Sequence, residues 1–105
     1  MPYDFQVNVV SKKTIRRFLE THAQTDPEAL EPLTRWYNLF RKSEPKNFAE
    51  LRQTFASADL ANPFTIFNVG GNKYRVITLI DYEHQFAKIR HVFTHSEYDQ
   101  WNDQR

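Results

Sequence analysis

The sequence has no cysteine, only two glycines and no long apolar run. Without thiols, the chain can form neither a disulfide framework nor a thiolate nucleophile. No segment approaches the ~18 apolar residues that a membrane-spanning helix requires, and the N-terminus does not have the layout of a signal peptide. We therefore expect a soluble, cytoplasmic protein.

The sequence also lacks an excess of charge of one sign, because 14 Lys and Arg are balanced by 13 Asp and Glu, for a formal net charge of +1. Such a balance excludes tight non-specific binding to nucleic acid through bulk charge, so any RNA contact must come from a local cluster of cations. With 105 residues and 15% aromatic content, residues 1–105 are predicted to form one domain around an aromatic-rich core.

The two glycines, Gly70 and Gly71, are adjacent and separate two runs of β-branched and aromatic residues, 64–69 and 73–80. This pattern predicts a β-hairpin, because tight turns need positive φ angles that glycine adopts without strain. A polar connection then leads to a third such run, 86–94. The three runs predict an antiparallel meander. The glycine pair lacks the Lys-Ser/Thr of a P-loop, so no phosphate-cradling loop is predicted.

The N-terminal half is predicted to supply a strand and the helices. Alternation predicts a strand over 5–10, and apolar periodicity predicts helices over 12–22 (with Ser11 as its N-cap), 26–42 and 47–55, followed by a loop over 56–63. Asp26-Pro27 and Asn47 with Glu50 are typical helix starts. The fold class is therefore α+β: a strand and two to three helices packed on a mainly antiparallel sheet, with a short C-terminal helix.

Strict alternation puts residues 73, 75, 77 and 79 on one face of their strand. It likewise puts residues 86, 88, 90, 92 and 94 on one face of the next strand. Helices covering one face of the sheet would leave the other partly open, and we place the function there. Which set of residues points into the open face is left undecided by the sequence.

A capping box marks the start of the C-terminal helix, with Thr94 as N-cap and Glu97 three residues later. His95 and Tyr98 would then lie in its first turn, where free N–H groups and the helix dipole favour an anion. The two strands that lead there carry several cations: Lys73, Arg75, Lys88 and Arg90. This combination points to phosphate chemistry.

Two segments, FNVGGNKYRVI and IRHVFTHSEYD, resemble those of HigB-type toxins, a branch of the RelE-like ribonuclease toxins of bacterial toxin–antitoxin pairs. Three further segments fit the same pattern in the same order: Arg35-Trp36-Tyr37, residues 46–51 and residues 55–60. The resemblance covers most of the chain from the first helix onward. It implies an antiparallel sheet with helices on one side.

The resemblance also implies an activity and partners. Many RelE-like toxins cleave mRNA in the ribosomal A site. HigB proteins are neutralised by HigA, an antitoxin with a helix-turn-helix DNA-binding domain, and the complex typically represses its own operon. A HigA-like antitoxin, mRNA and the ribosome are thus the expected partners, with DNA contacted only through the antitoxin complex. No membrane is expected to bind.

RNA can be cut without a metal or cofactor when its own 2′-hydroxyl attacks the adjacent phosphorus. Histidine suits the proton transfers, because its pKa lies near neutrality, and arginine suits the phosphate through its planar, always charged fork. The predicted catalytic residues are His95 for acid–base work, Arg75 and Arg90 as a phosphate clamp, and Lys73 and Tyr98 in support. The predicted RNA-binding residues are Lys46, Lys88 and Asn72. Which of His95, Tyr98 and Lys73 acts as base or acid is left open.

Competing interpretations accompany these assignments. Each arginine could form a structural salt bridge, and His95 could be an ordinary residue of a helix start. The basic face of the first helix is a nucleic-acid or partner patch, or only a solvated face. Three histidines, His84, His91 and His95, do not share a regular face, which disfavours a structural zinc. The alternative function is a non-catalytic RNA- or protein-binding module on the same fold.

Overall fold

The computed structural model describes residues 8–10 and 12–105. Its helices, besides a 3₁₀ turn over Pro27–Ala29, are α1 (Lys12–Thr21), α2 (Leu30–Lys42), α3 (Phe48–Thr54) and α4 (His95–Asp103). Its strands are β1 (Asn8–Val10), β2 (Asp59–Ala61), β3 (Phe64–Val69), β4 (Tyr74–Asp81) and β5 (Phe86–Thr94). The remainder of the predicted first strand and the predicted Ser11 cap lie outside the described residues.

The strands form one five-stranded sheet in the order β1-β5-β4-β3-β2. β2 to β5 pair antiparallel, and β1 adds to β5 in parallel. The α+β class and the mainly antiparallel sheet are therefore confirmed. β2 corrects the predicted loop over 56–63: three residues are too few to show an alternating pattern, but they pair along the edge of β3.

The main core lies between one face of the sheet and helices α1 to α3. The predicted apolar stripe of α2 is confirmed at Leu33, Trp36 and Phe40, which are all buried. Leu30, which fits the same apolar periodicity, is 59% exposed. Ala29, at the helical position one turn before Leu33, is fully buried and occupies that place in the core instead.

The helix starts match the sequence signals unevenly. Asn47 caps α3, because its side-chain oxygen accepts a hydrogen bond from the Glu50 N–H at 2.8 Å. Asp26 stands before the 3₁₀ turn but its side chain makes no capping hydrogen bond. Its Oδ1 instead accepts a long hydrogen bond of 3.5 Å from the hydroxyl of Tyr74. The predicted break after α2 is confirmed at Ser43, whose backbone is extended.

The glycine turn is confirmed, with Gly70 at φ 66° and Gly71 at φ 61°. Asn72 follows at φ 75°, so the connection spans four residues before Tyr74 pairs with Val69. The turn is therefore longer than the tight turn that the glycine pair suggested. Three successive left-handed residues bring Lys73 and Asn72 to the end of the sheet from which α4 starts.

A β-bulge in β5 overturns the predicted alternation of that strand. Ile77 pairs with His91 and Thr78 pairs with Ile89, which leaves Arg90 as an extra residue without a Cα partner. Beyond an inserted residue, the side chains of a strand point to the faces opposite to those that strict alternation predicts. His91 and Phe93 consequently share the face of Ile77, whereas Val92 belongs to the core on the helical side.

The second face of the sheet is covered in part by α4, which contacts β4 and β5. Ile66 and Ile77 are 2% and 0% exposed on this face, outside the main core. Residues around them are only half-buried, so this is the partly open face that the sequence predicted. Among the described residues, no helix has the length and apolar character needed to cross a bilayer.

Candidate active site

The first turn of α4 is fixed by the predicted capping box. The Thr94 hydroxyl accepts a hydrogen bond of 3.2 Å from the Glu97 N–H, and Glu97 Oε1 accepts one of 2.9 Å from the Thr94 N–H. The His95 N–H donates to the Lys73 carbonyl at 3.0 Å. These bonds hold the helix start against the glycine turn and determine where His95 lies.

Arg75 and His95 are in direct contact. The Arg75 guanidinium donates a hydrogen bond of 3.0 Å from one terminal nitrogen to Nδ1 of His95. Its other terminal nitrogen donates to the Asn72 carbonyl at 2.8 Å and to the Tyr74 carbonyl at 3.3 Å. The guanidinium also lies 5.5 Å from the centroid of the Tyr98 ring, a cation–π distance.

The Arg75 contact defines the proton position on His95. A guanidinium can only donate, so Nδ1 must accept with its lone pair and the proton must be on Nε2. Nε2 faces the carboxylate of Asp99, with Oδ2 at 3.5 Å. Arg75, His95 and Asp99 thus make two successive contacts, in which a neutral imidazole lies between a cation and an anion. Asp99 would also stabilise the ring if it gained a second proton.

His22 supports this helix turn from the other side. Its Nδ1–H donates to the Phe18 carbonyl and its Nε2–H to Glu97 Oε2, both at 2.9 Å, which is the bonding of a protonated ring. Burial lowers the pKa of His22, but the hydrogen bonds to Glu97 and Phe18 and the nearby carboxylates raise it above its ordinary value overall. His22 therefore has a structural role, and it links the end of α1 to the capping box of α4.

The predicted site residues do not all lie together. Arg75, His95 and Tyr98 are brought together, and Asn72 joins them through its backbone carbonyl. Lys73 is adjacent through its backbone, while its ammonium lies 4.0 Å from the Glu28 carboxylate. Lys46 lies before α3, in the layer of helices, where its N–H donates to Glu50.

Lys88 and Arg90 have surroundings that differ from those of the cluster. Lys88 pairs with Leu79, four residues along β4 from Arg75, or roughly 13 Å at the rise of a strand. Arg90, at the bulge, lines a groove of about 280 Å³ between α1 and β5 together with Arg17, His22 and Glu97. Arg75 and Arg90 thus have different surroundings in the structure, and their joint clamp on a single phosphate stays a prediction.

A deeper apolar groove of about 350 Å³ lies between α1 and α2. Its lining includes Lys12, Arg16 and Tyr37 but no histidine or carboxylate among the described residues. It thus lacks a group that exchanges protons near neutral pH. Groups of this kind are present on the exposed surface at the start of α4, which is therefore the candidate site.

Two functional residues were missed by the sequence reasoning. Asp99 lies four residues after His95, the spacing that places side chains on one helix face, so this pair had a local signal. Glu97 was recognised only as a cap, because its second partner, His22, is 75 residues away in sequence. Such a contact leaves no local pattern in the sequence.

Comparisons with known proteins indicate the family of this chain. Residues 29–101 match the model of a family described as HigB toxin, the RelE-like toxic component of a toxin–antitoxin system. The mRNA interferase toxin HigB of Escherichia coli (strain K12) is 31% identical over 96 residues, covering 89% of this chain and 88% of that protein. The mRNA interferase HigB of Shigella flexneri matches at the same identity and coverage.

The chain belongs to the HigB toxin family. The matched region spans α2 to α4 and includes Arg75, His95 and Asp99. The resemblance seen in the sequence is therefore confirmed. A toxin of this family has an antitoxin partner by definition of the system.

Proposed function

We propose that this HigB family chain, as one toxin domain over residues 1–105, is an endoribonuclease that cleaves mRNA in the cytoplasm. The observation that carries the proposal is the contact between Arg75 and His95 at the start of α4. It joins a phosphate-binding group to an acid–base group on the open face of the sheet. The relatives named mRNA interferases support the choice of substrate.

The proposed reaction needs neither metal nor cofactor. The 2′-hydroxyl of one nucleotide loses its proton and attacks the adjacent phosphorus, and the bond from phosphorus to the 5′-oxygen breaks. That oxygen takes up a proton and leaves as a 5′-hydroxyl, while the other fragment keeps a 2′,3′-cyclic phosphate. The protein must move two protons and stabilise the extra charge on the phosphate oxygens.

Arg75 and His95 divide these tasks. A phosphate oxygen is a stronger acceptor for the guanidinium than a neutral imidazole, because it is charged. When Arg75 turns to the phosphate, Nδ1 of His95 is released and can take the 2′-hydroxyl proton. Asp99 then stabilises the protonated ring through Nε2. Phosphate binding thereby frees the base at the place where it is needed.

The other predicted residues take supporting parts in the proposal. Tyr98, stacked against Arg75, holds the guanidinium and can donate a hydrogen bond to the phosphate or leaving oxygen. Lys73 adds positive charge beside the turn, and Asn72 anchors Arg75 through its carbonyl. Arg90, Lys88 and Lys46 contact the RNA backbone or ribosomal RNA away from the cleaved bond, since among the described residues no hydrogen bond or ion pair joins them to Arg75 or His95.

The open surface of the candidate site favours cleavage in the ribosomal A site over cleavage of free RNA. The site does not enclose a substrate, and a charge of +1 gives little affinity for a polyanion, whether free mRNA or ribosomal RNA, at physiological salt. A ribosome would hold the mRNA in an extended form and supply the orientation that the toxin surface alone does not. We expect cleavage of free mRNA to be much slower than cleavage of translated mRNA.

The proposal is tested by adding the purified protein to translating ribosomes and mapping the mRNA ends. Wild type should produce 5′-hydroxyl ends within translated frames. Arg75→Ala should reduce the rate on the order of 10²- to 10³-fold and His95→Gln on the order of 10²- to 10⁴-fold. Arg52→Ala is the matched control, because Arg52 also donates to a backbone carbonyl but lies on α3, and it should retain wild-type cleavage.

The alternative, a non-catalytic binding module, predicts a different result. Translation would then stop without new mRNA ends, or cleavage would persist undiminished in the Arg75→Ala and His95→Gln variants. Folding of each variant is checked by its thermal unfolding midpoint. Normal folding with undiminished cleavage in both variants would overturn the catalytic assignment.

The proposed partner is a HigA-like antitoxin with a helix-turn-helix domain. Co-expression of the adjacent gene with this chain should restore growth and yield a stable complex. That complex, and not the toxin alone, should bind the promoter DNA of the operon, since the toxin carries little net charge. Growth arrest that no neighbouring gene relieves would argue against this partner.

A further inference from the structure

Five aromatic rings form a continuous surface beside the Arg75–His95 pair. Trp101 is at its centre, with ring centroids 5.6 Å from Phe64, 5.6 Å from His91, 5.7 Å from Phe93 and 5.9 Å from Tyr98. His91 and Phe93 also stack on each other at 5.1 Å, with their planes 13° apart. We call these five residues, Phe64, His91, Phe93, Tyr98 and Trp101, the aromatic platform.

The platform is not simply a second core. Each of its five side chains is half-buried, whereas Ile66 and Ile77 on the same sheet face are almost completely buried. The aliphatic residues therefore already supply the buried layer under α4, and the rings lie at the boundary with solvent. Large apolar rings left accessible in this way, side by side, are typical of a binding surface.

Two cations lie against the platform at separate rings. The Arg75 guanidinium is 5.5 Å from the Tyr98 ring, and the Arg105 guanidinium is 4.9 Å from Trp101 and 5.7 Å from Phe64. Aromatic rings combined with arginine planes are the surfaces on which single-stranded RNA bases stack, with the cations positioned for the phosphates.

His91 has a charge state that suits the stacking of RNA bases. Burial, with a smaller effect from the neighbouring Arg90 cation, lowers the pKa of His91 below its ordinary value. The ring is therefore neutral at pH 7 and stacks as an aromatic group beside Phe93. Pairing of His91 with Ile77 and of Phe93 with Arg75 places both rings on this face of the sheet.

We propose that the aromatic platform is a stacking subsite for the unpaired bases of single-stranded RNA next to the bond cleaved at Arg75 and His95. The inference rests on the proposed ribonuclease function, because it names how that site holds its substrate. Stacking is tolerant of sequence, since every base has an aromatic face. The platform would therefore position the RNA strand without selecting one base.

The test uses the fluorescence of Trp101 in the wild-type protein. Trp36 is 5% exposed in the core, so a ligand that stacks on the surface quenches Trp101. A short single-stranded oligoribonucleotide with 2′-O-methyl groups, which cannot be cleaved, should quench it at low salt. Inorganic polyphosphate supplies charge without bases, and duplex RNA hides its bases, so neither should quench to the same extent.

Matched variants separate stacking from packing. Phe93→Leu keeps an apolar side chain but removes the aromatic face, and it should weaken oligonucleotide binding on the order of tenfold. Phe93→Tyr keeps the ring and should bind as wild type does. In the ribosome assay, Phe93→Leu should raise KM more than it lowers kcat, because it removes binding and not proton transfer.

The outcomes are distinct from those of the cleavage test. Cleavage intact in wild type, with no quenching by single-stranded RNA or equal quenching by polyphosphate, overturns the subsite and leaves the ribonuclease function standing. Quenching by the purified antitoxin but not by RNA assigns the platform to a protein contact and also overturns it. Base-dependent quenching that Phe93→Leu weakens supports it, even if His95→Gln fails to reduce cleavage.

Discussion

His22 donates a hydrogen bond of 2.9 Å from Nε2 to Glu97 Oε2 and so joins the end of α1 to the first turn of α4. Glu97 meanwhile accepts the Thr94 N–H with its other oxygen. A single carboxylate therefore connects the helical layer, the last residue of β5 and the helix that carries His95. Through the contact between His22 and Glu97, the packing of the helical layer affects the position of His95, the candidate catalytic histidine.

The first prediction concerns pH. The pKa of His22 is raised on folding, so the protonated ring stabilises the folded protein. This stabilisation is complete below the pKa of the unfolded chain, about 6.5, and is lost as pH rises through the folded pKa. His22→Gln should lower the free energy of unfolding by about 1 kcal/mol at pH 6, with a smaller difference from wild type at pH 9. Thermal unfolding of both proteins across this range measures the difference.

The stability of His22→Gln must be compared with that of wild type at each pH, because the titration of His91 changes stability in the opposite direction. Its pKa is lowered on folding, so its contribution to stability increases as pH rises from the folded pKa to the unfolded value of about 6.5 and is complete above it. The contribution of His91 is common to both proteins, so it is removed when the stability curve of His22→Gln is subtracted from that of wild type. A stability difference that stays constant from pH 6 to 9 would contradict a protonated His22 in the folded protein.

The second prediction uses two helix caps of the same type. Thr94→Ala and Asn47→Ala each remove a side-chain acceptor from an N-cap, and each should cost about 1 kcal/mol of stability. Only Thr94→Ala should also lower mRNA cleavage, because that cap orients His95. Thr94→Ser, which keeps the hydroxyl, should restore both properties. Equal losses of cleavage in the two alanine variants would point to a general stability effect.

The third prediction concerns the two adjacent glycines. Both have positive φ, so alanine at either position should cost about 1 kcal/mol in backbone strain. A Cβ on Gly70 would also lie 3.1 Å from Cδ2 of Tyr74, whereas a Cβ on Gly71 meets nothing within 4 Å. Gly70→Ala should therefore destabilise the protein more than Gly71→Ala, as denaturant titration of the two variants would show. The reverse order would indicate a different turn.

The fourth prediction tests the carboxylate beside His95. Asp99→Asn keeps the size of the side chain but removes the charge that faces Nε2. Cleavage should fall on the order of tenfold or more, because the protonated imidazole is no longer stabilised. Asp103→Asn, in the last turn of the same helix, is the control and should cleave as wild type does. The rate of both variants is measured on translated mRNA.

Much of the fold could be predicted because its signals are local. The capping box at Thr94, the adjacent glycines and the apolar stripe of α2 each occupy a few neighbouring residues, and each was confirmed. The three main strands were predicted nearly to the residue, because β-branched and aromatic runs there are bounded by polar turns. The short edge strand β2 was missed, since its pairing with β3 and not its own sequence defines it.

The site was predictable only where its parts are close in sequence or share a regular face. Arg75 and His95 were both selected, and the structure places them in contact. Arg90 was selected as a cation on a strand that leads to α4, but the bulge at this residue could not be read from the sequence. The contact between His22 and Glu97 depends on how α1 packs against β5, and such packing leaves no mark in a single stretch of sequence.

The bulge also has a consequence for chain length. Removing Arg90 would return β5 to regular pairing while Phe93 and Thr94 kept their faces, because the bulge alone accommodates the additional residue. The strand can thus gain or lose one residue at this point without displacing His95. Relatives that lack an equivalent of Arg90 would then preserve the geometry of Arg75 and His95, and a one-residue gap here in an alignment would carry no implication for catalysis.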